Sequence, residues 1–204
     1  MGTFVLAEDD LPKDASLMTD AERAGELAGQ GDALMQAGRW TEAAQAFQQA
    51  LTLDPEMETA EYNLAYVLTR AGRTNEAIAH YRAALRLAPD YAEAHNNLGN
   101  LLRDAGRVGE ALVHFEQAVT VNPDNAAAQN NTGTALARLG RLPEARTRFE
   151  RALELRPDYL EARFNLGMAL AQSGELEAAR RQFQEVLRQR PGFQPARAAL
   201  ARLP

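Results

Sequence analysis

Asparagine recurs in this chain at a spacing of 34 residues, at Asn63, Asn97, Asn131 and Asn165. Its side-chain amide has a donor and an acceptor, so it can bond the C=O and the N–H of an extended peptide together. Asparagine is a mediocre helix former, so four copies at one position of predicted helices cost stability and favour another purpose. The spacing therefore predicts a row of amides that holds a peptide by its backbone. The alternative, in which these amides bond between adjacent helices, stays open.

Three further groups of side chains accompany this row. Neighbouring positions add the amides Asn96, Asn100 and Asn130. Apolar residues that could form pockets flank the row at its two ends: Tyr62 and Tyr66, then Phe164 and Met168. Arginines that could pair with a partner's carboxylates fall near the ends of the same helices: Arg70, Arg103 and Arg138. An arginine at a helix C-terminus also favours the helix dipole, so these three have a structural interpretation as well.

Catalytic chemistry has little support in the sequence. His80 and His114 share one position of the repeat and His95 lies at another, a scatter that lacks an Asp or Glu triad, a metal-binding H-E-x-x-H motif or any other convergent set. We expect all three to be surface histidines. The glycines form no phosphate-binding loop, and the absence of cysteine excludes disulfides, thiol catalysis and thiolate metal sites. The sequence predicts a protein that is not an enzyme and has no cofactor and no metal site.

The elements that position these residues follow from the same period. Between residues 92 and 125, two stretches of helical periodicity flank a break at Gly106, and Pro123 closes the unit. The glycine recurs at Gly38, Gly72, Gly106, Gly140 and Gly174, and the proline at Pro55, Pro89, Pro123, Pro157 and Pro191. Five registered copies of a helical hairpin indicate a repeat protein in which neighbouring hairpins bury each other's apolar faces.

The pattern resembles the tetratricopeptide repeat, a family with a period of 34 residues and small residues where its two helices cross. Its small position in the first helix holds Gly31, Ala65, Gly99, Gly133 and Gly167. Its alanine in the second helix is Ala43, Ala77, Ala111, Ala145 and Ala179, and its aromatic is Phe47, Tyr81, Phe115, Phe149 and Phe183. Where the family most often has tryptophan, this chain departs from it with Leu27, Glu61, His95, Gln129 and Arg163.

The fold class that the resemblance implies is an all-α right-handed solenoid of five helical hairpins plus a C-terminal capping helix. We expect residues 21–204 to form the solenoid, with hairpins at 24–57, 58–91, 92–125, 126–159 and 160–193 and the capping helix at 194–203. In this family the first helices line the concave surface, so the resemblance implies that the asparagine row lies there. Trp40, the only tryptophan, begins a second helix, where we expect it to pack between helices.

The row is also similar to the asparagines that line the repeat region of O-GlcNAc transferase, where they hold protein substrates. This resemblance covers the repeats alone, because the chain has no transferase domain. Some tetratricopeptide repeat proteins bind the C-termini of chaperones through lysines and an arginine around such asparagines. The corresponding places here hold Asn96, Ala127 or Glu161, so chaperone binding is not expected.

Residues 1–20 lie outside the repeats and are expected to form a flexible tail. Thr19 and Glu22 have the spacing of a capping box, which predicts that the first helix begins near Asp20. A second interpretation of the tail is that the apolar residues Phe4-Val5-Leu6, which precede three acidic residues, form a docking segment. Such a segment would bind a groove in this molecule or in its neighbour.

Charge is distributed unevenly along the chain. Residues 1–57 have 11 acidic and 3 basic side chains, whereas residues 160–204 have 4 and 7. This polarity would allow head-to-tail self-association, although an acidic tail that only keeps the protein soluble explains it as well. The whole chain has 28 acidic and 22 basic residues, so nucleic acid is not an expected partner. No apolar run approaches the roughly 20 residues of a membrane span, so we expect no membrane insertion and a cytoplasmic protein.

These observations predict a non-catalytic scaffold that binds an extended peptide segment of a partner protein in its concave groove. The alternative from another class is a structural subunit that self-assembles or belongs permanently to a larger complex, through its convex face and its ends. An accessory repeat protein that serves an enzyme encoded elsewhere would have the same sequence features.

Overall fold

The structure is a computed structural model that describes residues 18–204. In this range eleven α-helices follow one another without a strand. They are α1 Asp20–Gln36, α2 Trp40–Leu53, α3 Glu58–Arg70, α4 Thr74–Leu87, α5 Ala92–Asp104, α6 Val108–Val121, α7 Ala126–Arg138, α8 Leu142–Leu155, α9 Leu160–Gln172, α10 Leu176–Gln189 and α11 Gln194–Arg202. The predictions for Phe4-Val5-Leu6 lie outside the described residues.

The helices pair into five hairpins, and each second helix also packs against the first helix that follows it. First helices of successive hairpins meet directly as well, as α1 does with α3, α5 with α7, and α7 with α9. The first helices therefore lie side by side along one surface of the stack, which we call the inner face. The last helix, α11, packs against α10. The predicted all-α solenoid of five hairpins with a C-terminal capping helix is confirmed.

A glycine follows the first helix of every hairpin. These five glycines have φ between 72° and 82°, a left-handed conformation that a Cβ disfavours: Gly38, Gly72, Gly106, Gly140 and Gly174. The residue after each glycine donates its N–H back into the helix, as Arg107 does to the Leu102 carbonyl at 2.8 Å. Four of these residues are arginines that pair with a glutamate at the start of the second helix: Arg39–Glu42, Arg73–Glu76, Arg107–Glu110 and Arg141–Glu144.

A close contact between a small residue and an aromatic ring sets the crossing of each hairpin. A Cβ added to Gly99 would lie 2.6 Å from the Phe115 ring, closer than the two atoms can approach. The same contact measures 2.6 to 2.7 Å at Gly31, Gly133 and Gly167. The second hairpin has Ala65 and Tyr81 at these positions, and both are buried. The predicted roles of the small and aromatic positions are confirmed.

The first helix begins where the capping box predicts. The Glu22 N–H donates to Thr19 Oγ1 at 3.2 Å, and the Thr19 N–H donates to Glu22 Oε2 at 2.8 Å. These two bonds satisfy free donors at the helix start, so α1 begins at Asp20. None of the helices in residues 18–204 combines the length and the apolar character needed to cross a membrane.

Candidate peptide-binding face

The asparagine row, Asn63, Asn97, Asn131 and Asn165, lies on the inner face, and each of its amides donates to the first helix before it. Asn63 Nδ2 donates to Asp32 Oδ1 at 2.8 Å. The other three bonds are each 3.0 Å long: Asn97 to Tyr62 Oη, Asn131 to Asn96 Oδ1, and Asn165 to Asn130 Oδ1. The row therefore joins each hairpin to the next, as in the structural interpretation that the sequence left open.

These bonds use only part of each amide. An asparagine amide has two N–H hydrogens and an oxygen with two lone pairs, and the bond to the preceding helix engages one hydrogen of Asn63, Asn97 and Asn131. Asn165 Nδ2 donates to Thr134 Oγ1 at 3.4 Å as well as to Asn130, so both of its hydrogens are engaged. Within residues 18–204, the side-chain oxygens of the row accept no hydrogen bond. All four residues are partly exposed. Asn63, Asn97 and Asn131 can thus hold their neighbours and still present one donor and one acceptor to a peptide, whereas Asn165 can present only its acceptor. The two interpretations are therefore compatible.

The three neighbouring asparagines differ in how accessible they are. Asn130 is only 1% exposed, and its Oδ1 accepts the bond from Asn165. Asn96 is partly exposed and accepts from Asn131 in the same way. Asn100 is partly exposed, and its side chain forms no hydrogen bond within residues 18–204. The Asn100 side chain is therefore the only one of the three without a hydrogen bond in residues 18–204, whereas Asn130 supports the row from inside.

Tyr62 occupies the equivalent supporting position at the N-terminal end of the row. Its ring stacks on Tyr91 with centroids 4.6 Å apart. Burial raises the pKa of Tyr62 above its usual value, and the nearby Glu93 carboxylate raises this pKa further. The hydroxyl therefore keeps its proton at neutral pH, which lets it accept from Asn97 and donate to another group.

A cavity of about 320 Å³ lies beside Asn63 on the inner face, and we call it the N-terminal cavity. Its lining residues are Met35, Gln36, Trp40, Tyr62, Asn63 and Tyr66. The Trp40 and Tyr66 rings meet edge to face with centroids 6.4 Å apart, and the Arg70 guanidinium lies 5.4 Å from the centre of the Trp40 ring. Trp40 packs against the core as expected, and it also lines this cavity.

A second cavity, of about 350 Å³, lies between α9 and α11, and we call it the C-terminal cavity. Its lining is mostly apolar and includes Phe164, Met168, Ala171, Pro195, Ala198 and Arg202. Met168, which is 36% exposed, also borders a smaller cavity of about 140 Å³ that reaches Asn165 and Arg138. The two predicted apolar pairs thus line cavities at opposite ends of the row.

The three predicted arginines have different surroundings. The Arg103 guanidinium pairs with Asp104 at 3.0 Å. Within residues 18–204, neither Arg70 nor Arg138 has a carboxylate at salt-bridge distance, and both are exposed near a cavity. The charges of Arg70 and Arg138 are therefore unpaired within residues 18–204, one near each end of the row, whereas the charge of Arg103 is already paired.

A model of the tetratricopeptide repeat matches the chain four times, over residues 29–92, 62–114, 96–147 and 133–192. The chain belongs to the tetratricopeptide repeat family. Proteins of this family are protein–protein interaction scaffolds, which is the general function that membership assigns. No curated protein matches the sequence.

Solved structures of other tetratricopeptide repeat proteins have the same fold. YrrB, a TPR protein with an unusual peptide-binding site, is 25% identical with a TM-score of 0.80, over 86% of this chain and 91% of that one. MamA from Desulfovibrio magneticus RS-1 is 19% identical with a TM-score of 0.78, over 84% and 97%. A tetratricopeptide repeat protein from Parabacteroides merdae ATCC 43184 is 20% identical with a TM-score of 0.79, over 89% and 72%.

The family's tryptophan position holds polar residues in four repeats of this tetratricopeptide repeat protein, and each bonds to the second helix of its own hairpin. We call these the hairpin polar pairs: Glu61–His80, His95–His114, Gln129–Arg148 and Arg163–Gln182. Their polar atoms lie 2.6, 3.0, 3.3 and 3.3 Å apart, in that order. Three of the first-helix members also bond to the carbonyl of the repeat's closing proline: His95, Gln129 and Arg163.

The prediction of scattered surface histidines is wrong for His95. It is only 8% exposed, its Nε2 bonds to the Pro89 carbonyl at 3.0 Å, and its Nδ1 lies 3.0 Å from His114 Nδ1. Burial lowers the pKa of His114 to about 4, with a smaller contribution from His95. The described part of the chain holds no group of three or more potential ligands placed to bind a metal ion. The three histidines bond the two helices of their own hairpins to each other.

Proposed function

We propose that this protein is a non-catalytic scaffold whose inner face binds an extended segment of a partner protein. The observation that carries the proposal is the asparagine row, in which every amide keeps an oxygen that accepts no hydrogen bond within residues 18–204, and all but Asn165 also keep one N–H after bonding to their neighbour. Those two groups match the N–H and the C=O of a peptide backbone. The similarity to the asparagine-lined repeats of O-GlcNAc transferase and the peptide-binding site of YrrB support the same function.

The two cavities define which partner segments fit. Backbone contacts along the row select for an extended chain with little regard to its side chains. Apolar side chains near both ends of the segment would fill the N-terminal and C-terminal cavities, whose volumes fall within the ~300–1,000 Å³ of ordinary ligand sites. Carboxylates beside those anchors would meet Arg70 and Arg138. We propose a protein partner rather than nucleic acid, because the chain has 28 acidic and 22 basic residues.

Selection and mutation of a peptide ligand test this function. A displayed library of random linear peptides is selected on the full chain, and the affinity of the best peptide is measured by fluorescence anisotropy. The double substitution Asn97→Ala with Asn131→Ala removes two backbone-binding amides, so we expect about tenfold weaker binding or more. The matched control is Asn75→Ala, an exposed asparagine in the first turn of α4, which should bind like the wild type.

The stability of the same variants separates the two roles of the row. Each substitution removes one bond between hairpins, so we expect a loss of about 2 kcal/mol in total for the double variant. Weaker binding by a variant that remains folded supports the proposal. Unchanged affinity for the selected peptide, together with the loss of stability, would mean that the row only joins the hairpins.

The alternative function, a structural subunit, has one observation in its favour. Val113 on the second helix α6 is 57% exposed, away from the inner face. An apolar side chain in that position is suited to a permanent contact through the second helices. Substitution Val113→Ser should leave the peptide affinity unchanged, and a resulting loss of an oligomer by light scattering would favour the alternative.

A further inference from the structure

We infer that the C-terminal cavity binds the segment Phe4–Asp10 of a second copy of this chain. The inference rests on the proposed function, because Phe164 and Met168 belong to the same peptide-binding face. One partner of the protein is then a second copy of itself. The group that enters the cavity is formed by the apolar residues Phe4-Val5-Leu6 of that copy.

The cavity presents the surface that such a segment needs. Phe164, Met168 and Ala171 of α9 form one wall, and Pro195 and Ala198 of α11 form another. Met168 is 36% exposed, so a large apolar side chain faces open space at this point. An apolar segment that covers it removes this surface from water, which favours binding.

Charge complementarity favours this segment over an uncharged one. Arg202 lines the cavity, and its guanidinium has no carboxylate at salt-bridge distance within residues 18–204. In the segment, the apolar residues are followed by Glu8, Asp9 and Asp10. Apolar residues in the cavity would therefore bring three carboxylates close to the Arg202 guanidinium.

The reach of the tail favours a second copy over the same molecule. Thirteen residues lie between Leu6 and the start of α1 at Asp20, and a fully extended chain over these fourteen Cα–Cα steps spans at most about 50 Å. Five steps between first helices separate α1 from α11, and at about 8–10 Å each they amount to a similar distance. Binding in the same molecule would require a fully stretched tail, whereas the tail of a neighbour has no such restriction.

Complementary variants of the full chain test the contact. A tail variant carries Phe4→Ser, Val5→Ser and Leu6→Ser. A cavity variant carries Ala198→Glu and Arg202→Glu, at two exposed positions of α11 that line the cavity. The matched control carries Ala201→Glu and Arg181→Glu, which change the charge equally at exposed positions outside the lining. Sedimentation velocity over a range of concentrations measures the assembly of each protein.

We expect the wild type to associate, and the tail and cavity variants each to remain monomeric at concentrations about tenfold higher or more. A mixture of the two variants retains one intact tail and one intact cavity, so it should form a 1:1 complex that grows no further. The control should associate at least several-fold more strongly than the cavity variant. Raising the salt concentration should weaken the association, because exposed charges are screened.

A wild type that is monomeric at every concentration overturns the inference, as does a mixture in which no complex forms. These results leave the proposed function intact if selected peptides still bind the asparagine row. Conversely, a wild type that assembles through its tail but binds no foreign peptide supports the inference while removing the proposed scaffold function.

Discussion

The asparagine row and the hairpin polar pairs both place polar side chains on the first helices, but they differ in what varies along the chain. The row holds the same residue in four successive hairpins and bonds between hairpins. The polar pairs bond within a hairpin, and their residues change from one hairpin to the next while a hydrogen bond is kept.

The difference shows how many requirements each position must meet. A partly buried polar pair must only satisfy its own members, so any donor that meets an acceptor is sufficient. The bonding partner of the row also varies between Asp32, Tyr62, Asn96 and Asn130, yet the asparagine itself does not. A bond to the preceding helix alone would allow other donors. The proposed contact with a peptide backbone would be a second requirement, and it would account for an amide at every position of the row.

The largest expected effect comes from breaking one polar pair. His95→Leu leaves the Pro89 carbonyl and the His114 Nδ1 without their buried partner, so we expect a loss of about 3 kcal/mol in the free energy of unfolding, measured in urea. The first hairpin has Leu27 and Ala46 at these two positions. The double substitution His95→Leu with His114→Ala should therefore lose about 1 kcal/mol less than the sum of the single substitutions. Strict additivity would show that the two histidines are not coupled.

A smaller loss is expected from the apolar contact inside the same hairpin. Gly99→Ala places a Cβ 2.6 Å from the Phe115 ring, and we expect a loss of about 2 kcal/mol in urea unfolding. Gly109→Ala is the control, because this helical glycine has nothing within 4 Å of an added Cβ and should gain about 0.5 kcal/mol. Equal effects of the two substitutions would contradict the close helix approach.

Removal of one amide of the row should lower the free energy of unfolding by less than either of these substitutions. Asn131→Ala deletes the bond to Asn96 between two hairpins, and a partly exposed hydrogen bond of this kind contributes about 1 kcal/mol. Asn75→Ala should change the free energy of unfolding by less than about 0.5 kcal/mol. A loss of several kcal/mol from Asn131→Ala alone would mean that stability by itself explains the row.

The smallest effect near neutral pH is expected from protonation of His114, a member of one polar pair, which lowers the free energy of unfolding. The pKa of His114 is about 4 in the folded protein, below the 6.5 of an unfolded chain, so protonation favours unfolding. Its contribution to stability is complete above pH 6.5 and is lost as the pH falls towards 4. The titratable and charged groups that face His114 are His95 on α5, Arg82 on α4 and Glu110 on α6. Urea midpoints measured from pH 7 to pH 4 should fall less steeply for His114→Gln than for the wild type.

The sequence was sufficient to predict the fold because the repeat is enforced locally. Each hairpin needs a left-handed glycine such as Gly106 after its first helix, and a small residue such as Gly99 against an aromatic ring. These requirements recur at fixed spacing, so they are visible without coordinates. The capping box at Thr19 is local in the same sense.

The details of the candidate site depend on contacts between repeats, which the spacing does not specify. Asn130 and Asn131 are adjacent in sequence, yet the first is buried and supports the row while the second belongs to it. The difference comes from the orientation of α7 about its own axis, which turns Asn130 into the interior and Asn131 towards the inner face. The pair His95–His114 was missed because its members lie on different helices and the residues at these positions change in every repeat. The hydrogen bond to the Pro89 carbonyl likewise becomes visible only in the folded hairpin.

The most direct test of the double role of the row is side-chain amide NMR of Asn97 and Asn131 during titration with a selected peptide. Each amide has two distinguishable hydrogens, and one of them bonds to the preceding helix. Peptide binding should shift the resonance of the other hydrogen and leave the bonded one nearly unchanged. A peptide that binds the protein without shifting either amide would contradict the account, because the row would then have only its role between hairpins.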